Sequence, residues 1–301
     1  MGIATAQGGL PVNQDTSVGY TLNFTGHNKI KLTADRYGDP TAPTVLFLHG
    51  GGQTRHAWAQ TATRLAKQGY CAITLDARGH GDSEWSSGGD YSGQALSKDL
   101  LAVLSQLPAP PIIVGASMGG LTSMVTIGEN SSSRARGLVL VDIAPRVEPE
   151  GVKRILDFMG GHTNGFASLE EARDAIAAYN PHRKATSSLK GLQKNLRLGK
   201  DGRYRWHWDP RFLEHANQRL EGEAMFDYER CKQSAANLTL PVLLIRGMQS
   251  DVVSDEGAEE LIELIPHAKY VQLEKAGHMV AGDRNDIFAA AIQSFVEGIE
   301  H

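Results

Sequence analysis

Ser117 stands in Gly115-Ala116-Ser117-Met118-Gly119, a G-x-S-x-G run that directly follows the apolar stretch Ile112-Ile113-Val114 and opens a segment of helical period. A strand-to-helix turn of this kind lifts a hydroxyl above a sheet in a strained backbone conformation. Its neighbours must be small, as Gly115, Gly119 and Gly120 are. The helix N-terminus beyond it favours negative charge developing beside the serine. A serine becomes a nucleophile only next to a base whose ring is fixed by an acid. Of the 11 histidines, His278 in Ala276-Gly277-His278 follows the last apolar run and is the expected base. Asp251, shortly after Val242-Leu243-Leu244-Ile245, is the expected acid and gives the chain order Ser, Asp, His. Asp142, which closes Leu138–Val141, is its rival. His49-Gly50-Gly51-Gly52 ends another apolar run with bare backbone that a ligand can approach. The Gly51 and Met118 amides are the expected oxyanion donors, and Gly52 is an expected substrate contact. A phosphate cradle is the rival use of these glycines, but G-x-x-x-x-G-K-[ST] is absent. His49 and His80 read as structural residues at strand ends, and Asp76 as the cap of its own turn.

These residues need a scaffold that brings strand ends together. Val45–Leu48, Cys71–Leu75, Ile112–Val114, Leu138–Val141, Val242–Ile245 and Tyr270–Leu273 are short apolar runs, and helical stretches such as Trp58–Gln68, Ser97–Leu107 and Met118–Glu129 lie between most of them. The alternation predicts an α/β fold with a doubly wound, mostly parallel sheet and functional residues at the carboxyl ends of its strands. Tyr20–Phe24 and Lys29–Ala34 precede it as an antiparallel hairpin. From 144 to 235 the alternation stops, yet 9 of the 20 aromatics fall there. That segment is expected to be an inserted cap, with the core divided into 1–143 and 236–301. Arg197–Trp208 carries an Asp-Gly turn between alternating residues, a hairpin signal.

Composition narrows the partners. With 34 Asp+Glu against 30 Lys+Arg and a net charge of −4, no global basic footprint suits nucleic acid or an anionic membrane. A small molecule is the expected partner. Two cysteines, Cys71 and Cys231, cannot build a disulfide framework or a thiolate zinc cluster. The apolar runs are strand-length, and Met1–Ala6 lacks the pattern of a leader, so a cytoplasmic setting is expected. The 143–235 segment carries +3 and the remainder −7. An aromatic, net-positive cap suits an apolar acyl or aryl group with an anionic end. Trp206, Trp208 and Phe212 are the expected contacts, with packing of the cap's own core as the rival role. Gln53, Arg55 and Asn180-Pro181 either line the entrance or satisfy their loops.

His49–Gly52 with Trp58, Asp76-Ala77-Arg78-Gly79-His80-Gly81-Asp82-Ser83, Gly115–Gly120, Asp251 and Gly277-His278 resemble, in order and spacing, the serine hydrolases of the α/β-hydrolase fold. The resemblance covers about 49–278. It implies an eight-stranded sheet with helices on both faces, a mainly helical cap after the sixth strand, and no cofactor or metal. Dehalogenases and epoxide hydrolases of this fold use an aspartate nucleophile where this chain has Ser117. Meta-cleavage product hydrolases, which break carbon–carbon bonds, share the triple glycine and Ser-Met-Gly-Gly, but their Asn and Trp positions are Ala116 and Met279 here. Cofactor-free perhydrolases resemble the Arg-Gly-His-Gly region without so long a cap. The expected activity is hydrolysis of a carboxylic ester with a small or medium acyl group. Lactone, amide and carbon–carbon hydrolysis are alternatives, and a receptor-like binding module is the non-enzymatic one.

Overall fold

Strands made of consecutive apolar residues require cover on both faces, and here they have it. In the computed structural model, which describes residues 19–179, 189–218, 226–278 and 285–299, eight strands share one sheet. These are β1 (Tyr20–Thr25), β2 (Lys31–Tyr37), β3 (Thr44–Leu48), β4 (Cys71–Leu75), β5 (Ile112–Ala116), β6 (Gly137–Val141), β9 (Val242–Gln249) and β10 (Lys269–Gly277). Their order is β1-β2-β4-β3-β5-β6-β9-β10. The β1/β2 and β2/β4 pairs are antiparallel and all others parallel, so the expected hairpin leads into a mostly parallel sheet.

Every residue of β3, β4, β5 and β6 is buried, and the side chains alternate between two cores. Leu46, Ile113, Leu138, Leu140 and Leu244 point to one face, which also holds Leu100, Met124, Cys231 and Leu261 from the helices α2 (Gly93–Ser105), α3 (Met118–Glu129), α8 (Tyr228–Ala236) and α9 (Asp255–Leu264). Val45, Phe47, Val114, Val139 and Leu243 point to the other, against Leu65 of α1 (Ala59–Lys67) and Ile292 of α10 (Ala289–Glu297). Both cysteines are buried free thiols. Helix α2 begins four residues before the periodic stretch because Ser92 Oγ accepts the Ala95 N–H at 3.2 Å and caps it there. Among the described residues no helix is long and apolar enough to cross a membrane.

The segment between β6 and β9 holds α4 (Pro149–Gly160), α5 (Leu169–Tyr179), α6 (Leu189–Leu192), the hairpin of β7 (Leu196–Leu198) with β8 (Tyr204–Trp206), and α7 (Arg211–Gln218). The 144–235 boundary needs correction at its end. All but the last residue of helix α8 falls in that range, yet the helix packs against α3, and Cys231 and Ala235 belong to the main core. Its apolar face is too short to register as a break in the sequence, and only packing assigns it to the core. Two backbone bonds dock the segment on the turn after β4, from the Gly81 N–H to the His207 carbonyl at 2.7 Å and from the Asp209 N–H to the Gly79 carbonyl at 2.8 Å.

Candidate active site

Strand order decides where the chemistry can sit. The chain leaves β3 for β4 on one side and returns to β5 on the other, so the carboxyl ends of β3 and β5 flank a topological switch point. Leu48 of β3 pairs with Gly115 of β5, Ala116 of β5 with Val141 of β6, and Val141 with Ile245 of β9. The residues just beyond these pairs are the glycine run, Ser117, Asp142 and the end of β9 with the turn to Asp251.

Ser117 has φ 45° and ψ −115°, the strained turn expected of a serine lifted off a strand end. The crowding explains the glycines around it. A Cβ on Gly115 would stand 2.5 Å from the Gly119 carbonyl oxygen, one on Gly119 2.7 Å from Leu48, and one on Gly120 2.4 Å from Ile143. The Ser117 N–H donates to the Val141 carbonyl at 3.2 Å, which ties the elbow to β6.

His278 Nε2 lies 3.2 Å from Ser117 Oγ. The irregular register of β10 between Leu273 and Gly277 returns the chain over Gln249 and delivers the ring to this position. The imidazole is buried, and its Nδ1 donates to Asp142 Oδ2 at 2.8 Å. The acid that meets His278 is therefore Asp142, not the expected Asp251. Asp142 directly follows β6, the strand beside the serine's own, and its φ of 52° turns the chain there. Two more donors hold its carboxylate: the Gly247 N–H on Oδ1 at 2.9 Å and the Ser250 hydroxyl on Oδ2 at 2.7 Å. Asp251 lies past the turn closed by the Ser250 N–H and the Gly247 carbonyl at 2.9 Å. Its side chain pairs instead with Arg154 of α4. A strand-end aspartate was legible at both positions; which one faces the imidazole depends on the turn.

The glycine loop has an internal skeleton. The Gly50 N–H donates to Gln53 Oε1 at 3.0 Å, and Gln53 in turn pairs with Asn285 at 3.2 Å. The Gly52 N–H donates to His80 Nε2 at 3.1 Å, and His80 Nδ1 lies 3.1 Å from the Arg78 carbonyl that accepts its proton. The Gly52 amide is thus engaged by protein and is not available as a donor to substrate. Gly51 lies between these two anchored amides. On the same loop, His49 Nε2 accepts the Ala77 N–H at 3.0 Å, and its Nδ1 faces the Gly50 carbonyl at 2.7 Å. Burial pushes the pKa of His49 down to about 4 and that of His80 to about 3, so both rings are neutral and each can accept one N–H. His80 orients the loop, a role that sequence reading assigned only loosely to structure. Gln53 and Arg55 satisfy their loops: Arg55 is buried against Asp35 at 3.0 Å and Asp76 at 2.5 Å. Asp76 accepts the Asp82 N–H at 2.9 Å and closes its own turn, as expected.

A cleft of about 960 Å³ opens at His278, lined by Phe158, Tyr179, Ala175, Arg154, Gln249 and Asp251 among others. The expected aromatic contacts do not line this cleft themselves, although Trp206 packs on Phe158 of its wall with ring centres 5.9 Å apart. Trp206 packs edge-on to Phe166 with ring centres 5.2 Å apart, and Trp208 and Phe212 are 6.4 Å apart. All three are buried in one cluster that joins Met159, Leu192 and Leu213 of the inserted segment to Tyr91, Leu96 and Met118 beneath it. Phe212 alone reaches the loop, edge-on to His80 at 4.8 Å and 3.5 Å from where a Gly51 Cβ would stand. Clustered aromatics in a small subdomain bury one another first. The cleft's own aromatics, Phe158 and Tyr179, carry no signal in sequence that separates them from core residues. Asn180 and Pro181 lie outside the described residues.

Comparison with known proteins agrees with this fold. The family model of the alpha/beta hydrolase fold matches residues 43–284. The chain is 32% identical over 261 residues to the esterase Rv0045c of Mycobacterium tuberculosis, covering 84% of this chain and 82% of that protein. It is 30% identical over 274 residues to the sn-1-specific diacylglycerol lipase ABHD11 of Mus musculus, covering 86% and 82%. Among solved structures, an alpha/beta hydrolase from Novosphingobium aromaticivorans superposes with a TM-score of 0.79 at 27% identity, over 93% of this chain and 98% of that one. With a serine elbow at the switch point of a mostly parallel eight-stranded sheet, the chain belongs to the alpha/beta hydrolase fold family.

Proposed function

We propose that the protein is a serine hydrolase that cleaves a carboxylic ester through an acyl-enzyme. The observation that carries the reading is the unbroken chain Ser117 Oγ, His278, Asp142, at 3.2 and 2.8 Å. His278 Nε2 takes the serine proton as Oγ attacks the ester carbonyl, and Asp142 holds the ring in the Nδ1–H tautomer and stabilises the imidazolium. The Gly51 and Met118 amides receive the oxyanion of the tetrahedral intermediate. His278 then protonates the leaving alcohol, and a water that it deprotonates releases the acid. The esterase and lipase among the relatives support an ester as the bond. The apolar wall of Phe158, Ala175, Ala178 and Tyr179 supports an apolar acyl or aryl group in the cleft, with the inserted segment as its cap. We place the enzyme in the cytoplasm on the strength of its free, buried thiols.

The test is a stopped-flow series of p-nitrophenyl esters of graded acyl length with the wild type and Ser117→Ala. An initial burst of nitrophenol in the wild type that disappears in the variant is expected, and the chain-length optimum sizes the pocket. Equal inertness of both proteins across the series would overturn the ester reading.

A further inference from the structure

Asp142 Oδ2 accepts two hydrogen bonds: one from His278 Nδ1 at 2.8 Å and one from the Ser250 hydroxyl at 2.7 Å. The hydroxyl is itself fixed, because Ser250 Oγ accepts the Val253 N–H at 3.1 Å and the Val252 N–H at 3.3 Å. With both lone pairs taken by amides, its one proton has a single destination, the carboxylate. The Ser250 N–H closes the turn on the Gly247 carbonyl at 2.9 Å, and the Gly247 N–H holds the other carboxylate oxygen. The β9 turn thus grips the acid at both oxygens.

We propose that Ser250 is a positioning residue of the catalytic centre: its hydroxyl fixes the Asp142 carboxylate on His278 Nδ1 and withdraws charge from the oxygen they share. The inference rests on the reading of Ser117, His278 and Asp142 as the catalytic set. A hydrogen bond to an ionised carboxylate disperses its charge. Oδ2 with Ser250 in place therefore stabilises the His278 imidazolium less than Oδ2 without it. Removing the hydroxyl then has two separate effects. The carboxylate loses one of its three anchors, so the ring is held less well and turnover falls. The remaining bond carries more charge, so the imidazolium persists to higher pH. A purely structural serine would lower the yield or stability of folded protein and leave the pH dependence of the remaining activity in place.

The experiment compares the wild type, Ser250→Ala and Ser250→Thr with p-nitrophenyl butyrate from pH 5 to 9, alongside the low-field proton NMR signal of His278 Nδ1–H, identified by its absence in His278→Asn. In Ser250→Ala, kcat is expected to fall about tenfold, the worth of one hydrogen bond to a charged group, with KM little changed. The acid limb of kcat/KM moves to higher pH and the Nδ1–H signal shifts. Ser250→Thr keeps the hydroxyl and restores both. An alanine variant with the wild-type limb and an unmoved signal would overturn the inference while leaving the triad reading intact. If the wild type does not turn over the ester, that reading fails separately, and the NMR signal still decides whether Ser250 acts on the imidazole.

Discussion

Replacing Asp142 by Asn tests the assignment of the acid most directly. Asp142 sits at φ 52°, and Asn tolerates that left-handed backbone as well as Asp does, so the change alters charge and hydrogen bonding with little effect on the chain path. The carboxylate accepts three donors: the Gly247 N–H at 2.9 Å, the Ser250 hydroxyl at 2.7 Å and His278 Nδ1 at 2.8 Å. An amide offers one acceptor oxygen. If it serves Gly247, the NH2 group faces two donors. His278 must then present an unprotonated Nδ1 and put its proton on Nε2, where it can no longer take one from Ser117. The comparable change in a serine triad costs about 10⁴ in kcat, equivalent to about 5.4 kcal/mol of transition-state stabilisation. Asp251→Asn removes a charge from the cleft wall together with its pairing with Arg154, whose side chain is 62% exposed. A solvent-exposed pair is worth about 0–1 kcal/mol, so a loss of less than about fivefold is expected. The assay is kcat/KM for p-nitrophenyl butyrate, with unfolding curves to confirm that both variants fold. A larger loss for Asp251→Asn than for Asp142→Asn would refute the assignment.

Further outcomes follow from the packing. His49 and His80 titrate in the folded protein at about 4 and about 3, below the ordinary imidazole value of about 6.5. The unfolded chain therefore binds the extra protons, and their contribution to stability is complete above about pH 6.5 and lost as the pH falls toward 3. His80→Gln should flatten the rise of unfolding free energy between pH 4 and 6 by up to about 1.4 kcal/mol per pH unit, read by urea denaturation; an unchanged slope would show that the ring is not held neutral. Phe212→Ala should destabilise by about 3–5 kcal/mol and lower kcat more than it raises KM, because the ring packs on His80 behind the Gly51 loop. Gly128→Ala places a Cβ 2.1 Å from the Ser234 carbonyl oxygen and should separate α3 from α8. A thermal melt is expected to show a loss of at least about 1–3 kcal/mol, and an unperturbed melt would contradict that close approach.

The local signals in this chain were strong because they arise from constraints a short segment must satisfy alone. Short apolar runs that alternate with helical stretches suit strands covered on both sides, and Met118–Glu129 forms the helix its periodicity predicts. Ser117 was legible because the elbow demands small neighbours within a few residues of sequence, and His278 because it follows the last strand. What stayed hidden depends on how turns aim side chains after the strands have been ordered. Asp142 and Asp251 both follow strand ends, but the turn closed at Gly247 sends Asp251 out to Arg154 and turns the Ser250 hydroxyl in to Asp142. No spacing rule encodes that choice. The same limit applies to Trp206, Trp208 and Phe212, whose composition suits a pocket and a core equally, and to α8, whose partner α3 lies about a hundred residues away. Chain composition and period set the strands, the elbow and the base; the register of β5, β6, β9 and β10 and the turns beyond them decided which acid faces the imidazole and which aromatics face the cleft.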